Sequence, residues 1–149
     1  LNREVEEDHL PYCGENGIGV ICYSPMGKGL LTGAFSRERA KALSDKDHRS
    51  RDPKFSPPQL DCNLEVVEAI RPLVEESGRP MAQLPLAWVL RRPEVTSAIV
   101  GVRNPSQIEQ TVGGGDWNLT QEELDVVEGA LSLREEKRAQ LGQTSQGWV

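Results

Sequence analysis

An α/β fold with parallel strands is what this sequence predicts, on three observations. Two short apolar runs, residues 18–23 (IGVICY) and 96–102 (TSAIVGV), lack the polar–apolar alternation of a half-exposed strand. Between them lie a glycine-spaced turn, a long stretch without periodicity and two helical patterns. Strands of this composition belong in parallel sheets covered by helices on both faces, and a long crossover is what joins parallel neighbours. Two strands close neither a barrel nor a sheet with a protected interior. The reading therefore expects further strands, or further copies of the chain, to complete the layer.

Each element has its own signal. Residues 3–15 carry acids early (Glu4, Glu6, Glu7, Asp8) and apolar Val5, Leu10 and Tyr12 at roughly helical spacing. Such acids complement a helix dipole, and Glu15-Asn16-Gly17 supplies a stop, although Pro11 interrupts continuity. The first strand follows directly and ends in a Ser24-Pro25 turn with Gly27, Gly29 and Gly33 spaced beyond it. Residues 35–62 lose periodicity and are expected as a charged, mobile loop, either a lid or a solvated segment. Asn63 is placed as the N-cap of a helix over 64–77, with Leu64, Val67, Ile70 and Val74 on one face. Pro72 is expected to bend that helix and Gly78 to stop it.

Pro80 opens a helix over 81–91, where Leu84, Ala87, Trp88 and Arg91 share a face and place Trp88 in the core. Pro85 marks a local irregularity there. After the second strand, Asn104 as N-cap, Pro105 in the first turn and Gln107 three residues on begin another helix, which Gly113-Gly114-Gly115 ends. Thr120 with Glu123 forms a capping box for a last helix through Leu124, Val127 and Leu131. A frayed helix end and tail are expected over 132–149.

Size and charge bound the function. At 149 residues the chain is long enough to bury a core. Its net charge of −6 argues against nucleic acid as a partner, because no basic surplus is present to neutralise phosphates. No window approaches the roughly 18 apolar residues that would span a bilayer, so no membrane partner is expected. Cys13, Cys22 and Cys62 make no metal-like cluster with His9 or His48, and their odd number points to a reducing, cytoplasmic setting. The first residue is Leu1 rather than Met, which suggests a processed or partial chain.

Two junctions carry the chemistry. Tyr23 to Gly29 (YSPMGKG) lies at a strand's carboxyl end, where ligands collect in parallel α/β folds. It offers an aromatic face, a hydroxyl, approachable glycine backbone and a lysine charge. Gly101 to Gln107 (GVRNPSQ) also follows a strand and enters a helix N-terminus, a setting that favours an anion. Arg103 adds a bidentate charge suited to phosphate. Together they suit a phosphate-bearing nucleotide. Read as plain turns, the glycines need no ligand, Gln107 completes a cap and Arg103 is a surface arginine.

The sequence resembles the C-terminal half of an aldo-keto reductase, an eight-stranded (β/α)8 TIM barrel that uses NADP(H). The resemblance runs from Asn2-Arg3 through Pro11-Tyr12-Cys13 and Gly17-Ile18-Gly19-Val20 to YSPMGKGLLTG. It resumes at AQLPLAWVLRRPEVTSAIVGVRNPSQIEQT and continues to DWNLTQEEL, covering roughly residues 1–131 with 35–62 unmatched. It implies that Tyr23 stacks on the nicotinamide and that Ser24, Pro25, Met26, Gly27, Lys28 and Leu30 follow the pyrophosphate. By the same resemblance Gly101, Arg103, Gln107, Gln110 and Thr111 surround the adenosine and its 2′-phosphate, with Arg103 nearest that phosphate. The implied reaction is hydride transfer between NADP(H) and an aldehyde or ketone.

Departures from the family pattern are also visible. Ala34 and Phe35 follow Gly33 where relatives often carry Lys and Tyr, and Gln110-Thr111 stands where Glu-Asn is common. Arg49 or Arg51 is a candidate to replace that lysine. Neither His9 nor His48 matches the family's catalytic histidine, and neither Tyr12 nor Tyr23 its proton-donating tyrosine. The resemblance thus implies a cofactor-holding half without the catalytic tetrad. Its partner would be the missing N-terminal half of the barrel, and the small carbonyl substrate would bind only in the complete barrel. The alternative is a non-catalytic half-barrel that binds a dinucleotide weakly or self-associates.

Overall fold

The computed structural model describes residues 1–142, so the last part of the expected tail, 143–149, lies outside the described residues. A 3₁₀ turn (Glu4–Glu6) precedes α1 (His9–Glu15), and β1 (Val20–Tyr23) follows. After a looped 3₁₀ stretch (Gly27–Thr32) come α2 (Arg37–Lys41) and two more 3₁₀ turns (His48–Arg51 and Pro53–Phe55). Two helices, α3 (Gln59–Ser77) and α4 (Gln83–Leu90), complete the crossover to β2 (Val95–Ile99). Helix α5 (Pro105–Val112), a 3₁₀ turn (Gly113–Asp116) and α6 (Gln121–Gln140) end the described chain.

The two strands pair in parallel, with Val20 opposite Val95, Ile21 opposite Ser97, Cys22 opposite Ala98 and Tyr23 opposite Ile99. The strands are not buried on both faces: Ile21 is 61% exposed, Tyr23 70% and Ile99 58%. The helices cover part of this two-stranded sheet only, so these apolar residues stand exposed among the described residues.

Proline sets where the helices begin. A first-turn residue has an N–H with no intrahelical partner, so proline costs nothing there. Pro11 and Pro85 each fall at the third position of their helices, and Pro105 at the first position of α5. The predicted irregularity at Pro85 is thereby corrected: the helix starts at Gln83, two residues later than expected, and no hydrogen bond is lost. The same rule splits 3–15 into a 3₁₀ turn and a separate helix. Pro72 is different, because it lies well inside α3, which continues past it to Gly78 in the left-handed conformation (φ 66°).

Asn63 is the second correction. Helix α3 begins at Gln59, four residues before the predicted cap, and Asn63 is fully buried within it. Its Nδ2 donates to the Lys54 carbonyl at 3.1 Å, and its Oδ1 accepts from Arg134 Nε at 2.6 Å. The Arg134 guanidinium also donates to the Leu1 carbonyl at 3.1 Å and pairs with Glu135. Burial holds its pKa below the usual arginine range. A buried charge is tolerated only when it is paired and hydrogen-bonded; Asn63 is one of the groups that does this. Helix α6 runs to Gln140, with Arg134 and Arg138 buried in it.

Two clusters form the core. The larger joins α3 (Val66, Ile70, Val74), α4 (Leu84, Ala87, Trp88), Trp117 and α6 (Val127, Ala130, Leu131). The smaller holds Leu30, Phe35, Phe55 and Leu60, so residues 35–62 fold as short helical pieces around two aromatic rings 5.0 Å apart. Trp88 sits in the core as predicted, and the Arg91 guanidinium stacks on it at 3.5 Å. Arg91 in turn donates to Glu6 at 3.2 Å, and Arg3 reaches both Glu6 (2.8 Å) and Glu128 (2.5 Å). This network ties the first turn of the chain to α4 and α6. No helix among the described residues is long and apolar enough to cross a membrane.

Two stability predictions arise from this packing. A methyl group at Gly114 would meet the Leu86 Cβ at 2.7 Å and the Gln83 carbonyl at 2.9 Å. Gly114→Ala is therefore expected to cost about 1–3 kcal/mol in denaturant unfolding, the usual cost of overpacking. Glu6 is the pH-sensitive carboxylate of the Arg3–Arg91 network. Burial alone would raise its pKa, but hydrogen bonds from Arg3 and the Arg91 charge hold it below the ordinary glutamate range. A depressed carboxylate contributes stability above its unfolded pKa and loses it as the pH falls through the folded one. Glu6→Gln should thus lower stability at pH 7 by about 2 kcal/mol, and the difference from wild type should shrink in unfolding curves taken at progressively acid pH.

Candidate functional site

Parallel pairing brings the two predicted junctions together. Tyr23 and Ile99 are register partners at the carboxyl ends of β1 and β2. The segments that follow them therefore leave adjacent strands at the same end of the sheet. A ligand crossing that end meets both.

The first segment is tightly shaped. Tyr23 is exposed, and the chain turns at once through Ser24 (φ 51°), Gly27 (φ 57°), Lys28 (φ 56°) and Gly29 (φ 93°). The Ser24 carbonyl accepts from the Gly27 N–H at 2.9 Å, and the Met26 carbonyl from Gly29 at 3.1 Å and Leu31 at 3.2 Å. Glycine suits this backbone, and a Cβ at Gly29 would meet only Arg49 at 3.9 Å, so the surface is open. Ser24 and Lys28 are not glycines, and the left-handed conformation costs each of them about 1–2 kcal/mol. Pro25 and Met26 lie half-buried in the turn, while the Leu30 side chain is fully buried in the smaller core cluster. Leu30 thus offers a ligand its main chain only.

Residues 47–55 support this loop from beneath. Lys28 Nζ donates to Asp52 Oδ2 at 2.9 Å, and the other oxygen of Asp52 caps the following turn by accepting from the Lys54 N–H at 3.0 Å. The Arg49 guanidinium lies over Phe35 and Phe55, at 5.6 and 6.0 Å from the ring centres. Its Nη1 donates to the Lys28 carbonyl at 3.4 Å. Asp47 holds the rest of that guanidinium, through Nε at 3.0 Å and Nη2 at 2.6 Å, and these bonds keep the Asp47 carboxyl far below the usual range. Arg49 is accordingly committed to protein groups rather than standing in for an absent lysine. Arg51 is exposed and donates to the Asp45 carbonyl at 3.3 Å.

The second segment begins with exposed Gly101, where a Cβ would meet nothing within 4 Å. Asn104 caps α5 as expected, its Oδ1 accepting from the Gln107 N–H at 3.0 Å. Gln107 reaches one residue further back than the predicted box, accepting from the Arg103 N–H at 2.7 Å. Pro105 has no N–H and Gln107 gives its own to Asn104, so this terminus holds fewer free donors than its motif suggests. The Arg103 side chain is exposed and has no partner among the described residues. Gln110 is exposed, and its carbonyl accepts from Gln83 Nε2 at 3.2 Å. Thr111 is buried, with its hydroxyl donating to the carbonyls of Gln107 (2.8 Å) and Ile108 (3.1 Å).

The site is therefore a shared rim of exposed groups (Tyr23, the 24–30 backbone, Gly101, Arg103, Gln110) braced from behind by Gln107, Thr111, Asp52 and Arg49. Sequence reading missed Asp52, although Asp52-Pro53 is a readable N-cap signal. Burial pushes the Cys22 thiol up, so it offers no thiolate beside Tyr23. No cluster of metal-ligating side chains exists among the described residues. A cleft of about 520 Å³ lies between α4, α5 and β2, lined by Leu86, Leu90, Ser97, Val102, Ile108 and the same Thr111 among others.

The chain is similar in sequence and fold to known proteins. The chain is 34% identical over 132 residues to "Probable aldo-keto reductase 1" of Glycine max, an overlap of 88% of this chain and 37% of that protein. Among solved structures, the glycerol dehydrogenase of Gluconobacter oxydans superposes with a TM-score of 0.80 at 32% identity. The match covers 89% of this chain and 40% of that one, so the chain spans well under half the length of either relative. The architecture is accordingly that of part of an aldo-keto reductase TIM barrel. Residues 1–132 match the model of the aldo/keto reductase family, and the chain belongs to that family.

Proposed function

We propose that this chain is the cofactor-holding part of an oxidoreductase that transfers hydride between NADP(H) and an aldehyde or ketone. The observation that supports it most is the Tyr23–Ile99 register, which puts both junctions at one end of the sheet. The nicotinamide dinucleotide, when bound, supplies the hydride chemistry. The residues present fit such a group: an exposed ring, open glycine backbone and an exposed arginine with no partner among the described residues lie on one rim.

Each residue then has a task. Tyr23 presents a flat aromatic face for the nicotinamide ring. The main chain from Ser24 to Leu30 follows the pyrophosphate. Arg103 pairs bidentately with the 2′-phosphate, which is the basis for NADP over NAD. Gln110 addresses the adenine. Gln107 and Thr111 act less directly, Gln107 by ordering the Arg103 backbone and Thr111 by bracing the helix. The family's proton-transferring residues have no counterpart in this sequence, and we assign them and the substrate pocket to barrel strands that close over β1 and β2. The uncovered Ile21 and Ile99 support that closure. The same uncovered residues favour the second reading, a half-barrel that binds a dinucleotide weakly and associates with itself. The free cysteines agree with a cytoplasmic setting.

Fluorescence titration of the full natural chain tests the cofactor assignment. Arg103→Ala should weaken NADPH by about tenfold or more and NADH by less than about twofold, the pattern of losing one phosphate contact. Equal weakening of both would remove Arg103 from the 2′-phosphate. The 149-residue chain alone should show no NADPH-dependent reduction of an aldehyde; turnover that a substitution within it abolishes would overturn the half-site reading.

A further inference from the structure

We infer that Asp52, together with Arg49, is a positioning residue for the dinucleotide site, acting through the backbone of Lys28. The inference rests on the cofactor reading above and adds residues that lie outside the matched motifs. Lys28 is an L-residue held at φ 56° in the middle of the loop assigned to the pyrophosphate. A side chain stays in that region only where its surroundings over-determine it. Here two residues of one segment hold it from opposite ends. Asp52 takes the ammonium at 2.9 Å, and Arg49 donates to the carbonyl at 3.4 Å.

The holders are themselves fixed. Asp52 is 8% exposed, and its second oxygen is committed to the Lys54 N–H at 3.0 Å. Arg49 is clamped by both oxygens of Asp47 and laid over two rings of the smaller core cluster. Leu30 is anchored in that same cluster, two residues beyond Lys28. Segment 47–55 and the loop therefore form one rigid unit around Phe35 and Phe55. The direction of the lysine matters as well. Its charge points down to a buried carboxylate, so its role at the rim is to present backbone rather than to carry a free cation to the phosphate. Pre-shaping the backbone in this way removes an ordering cost that binding would otherwise bear.

The test compares two probes in the full natural chain: NADPH, and 2′-AMP, which carries the 2′-phosphate without a pyrophosphate. Asp52→Asn keeps the oxygen that caps the turn but loses the charge that holds Lys28. It should weaken NADPH about tenfold, equivalent to about 1.4 kcal/mol, while 2′-AMP changes by less than about twofold. Arg49→Lys, which keeps a charge but loses the fork, should act in the same direction. Glycine adopts a positive φ without support, so in a Lys28→Gly background Asp52→Asn should have no further effect on NADPH. Tighter NADPH binding by Asp52→Asn would show that Asp52 competes with phosphate for Lys28 and would overturn the proposal. Unchanged NADPH binding, or equal weakening of both probes, would overturn it too. If the unsubstituted full chain binds no NADPH, the cofactor reading falls and this inference with it; binding that ignores Asp52 removes the positioning role alone.

Discussion

Parallel pairing of β1 with β2 is the constraint from which the rest of the structure follows. Parallel neighbours cannot be joined by a tight turn, so the chain must travel back along the sheet before the second strand begins. It does so through residues 24–94, which contain α2, α3 and α4 and much of both core clusters. The pairing also places the carboxyl ends of the two strands side by side. Two segments separated by more than seventy residues in sequence thereby share one rim. Were the strands antiparallel, the glycine loop and Arg103 would lie at opposite ends.

Around that pair, buried polar groups hold the elements in place. Asn63 and Arg134 join α3 to α6 and reach the first residue of the chain, while Glu6, Arg3 and Arg91 join the first turn to Trp88. These charges are mutually dependent: each is stable in its low-exposure setting because its partners are there. The smaller cluster works in the same way for the rim. Phe35 and Phe55 supply a floor, and Asp47, Arg49 and Asp52 form a polar layer between that floor and the backbone of the Tyr23–Leu30 loop. A charged stretch without periodicity thus becomes the support of the most conformationally demanding turn in the chain.

The uncovered strand face has a physical meaning beside this. Ile21, Tyr23 and Ile99 have the composition of a buried layer and lack a covering one among the described residues. The two relatives compared above are more than twice as long, and this chain matches only part of each. In the proposed function, Tyr23 belongs to both descriptions, as a residue the remaining barrel would face and as the ring that meets the nicotinamide.

Local signals determined a good deal without any structure. The apolar runs marked both strands and their parallel kinship, the Asn104 and Thr120 caps started their helices where expected, and the spacing of Leu84, Ala87 and Trp88 placed that tryptophan in the core. Each of these depends on neighbours within a turn or two of helix, which is the range that sequence periodicity covers. Tertiary structure alone decided the rest. Asn63 reads as a cap because asparagine commonly is one, yet a buried Arg134 seventy-one residues away takes it into a helix interior. Lys28 reads as a phosphate hand, yet its charge goes to Asp52, twenty-four residues on. Composition marks the strand residues that want cover, whereas covering them depends on what else packs against the sheet, and among the described residues Ile21 and Ile99 stay exposed.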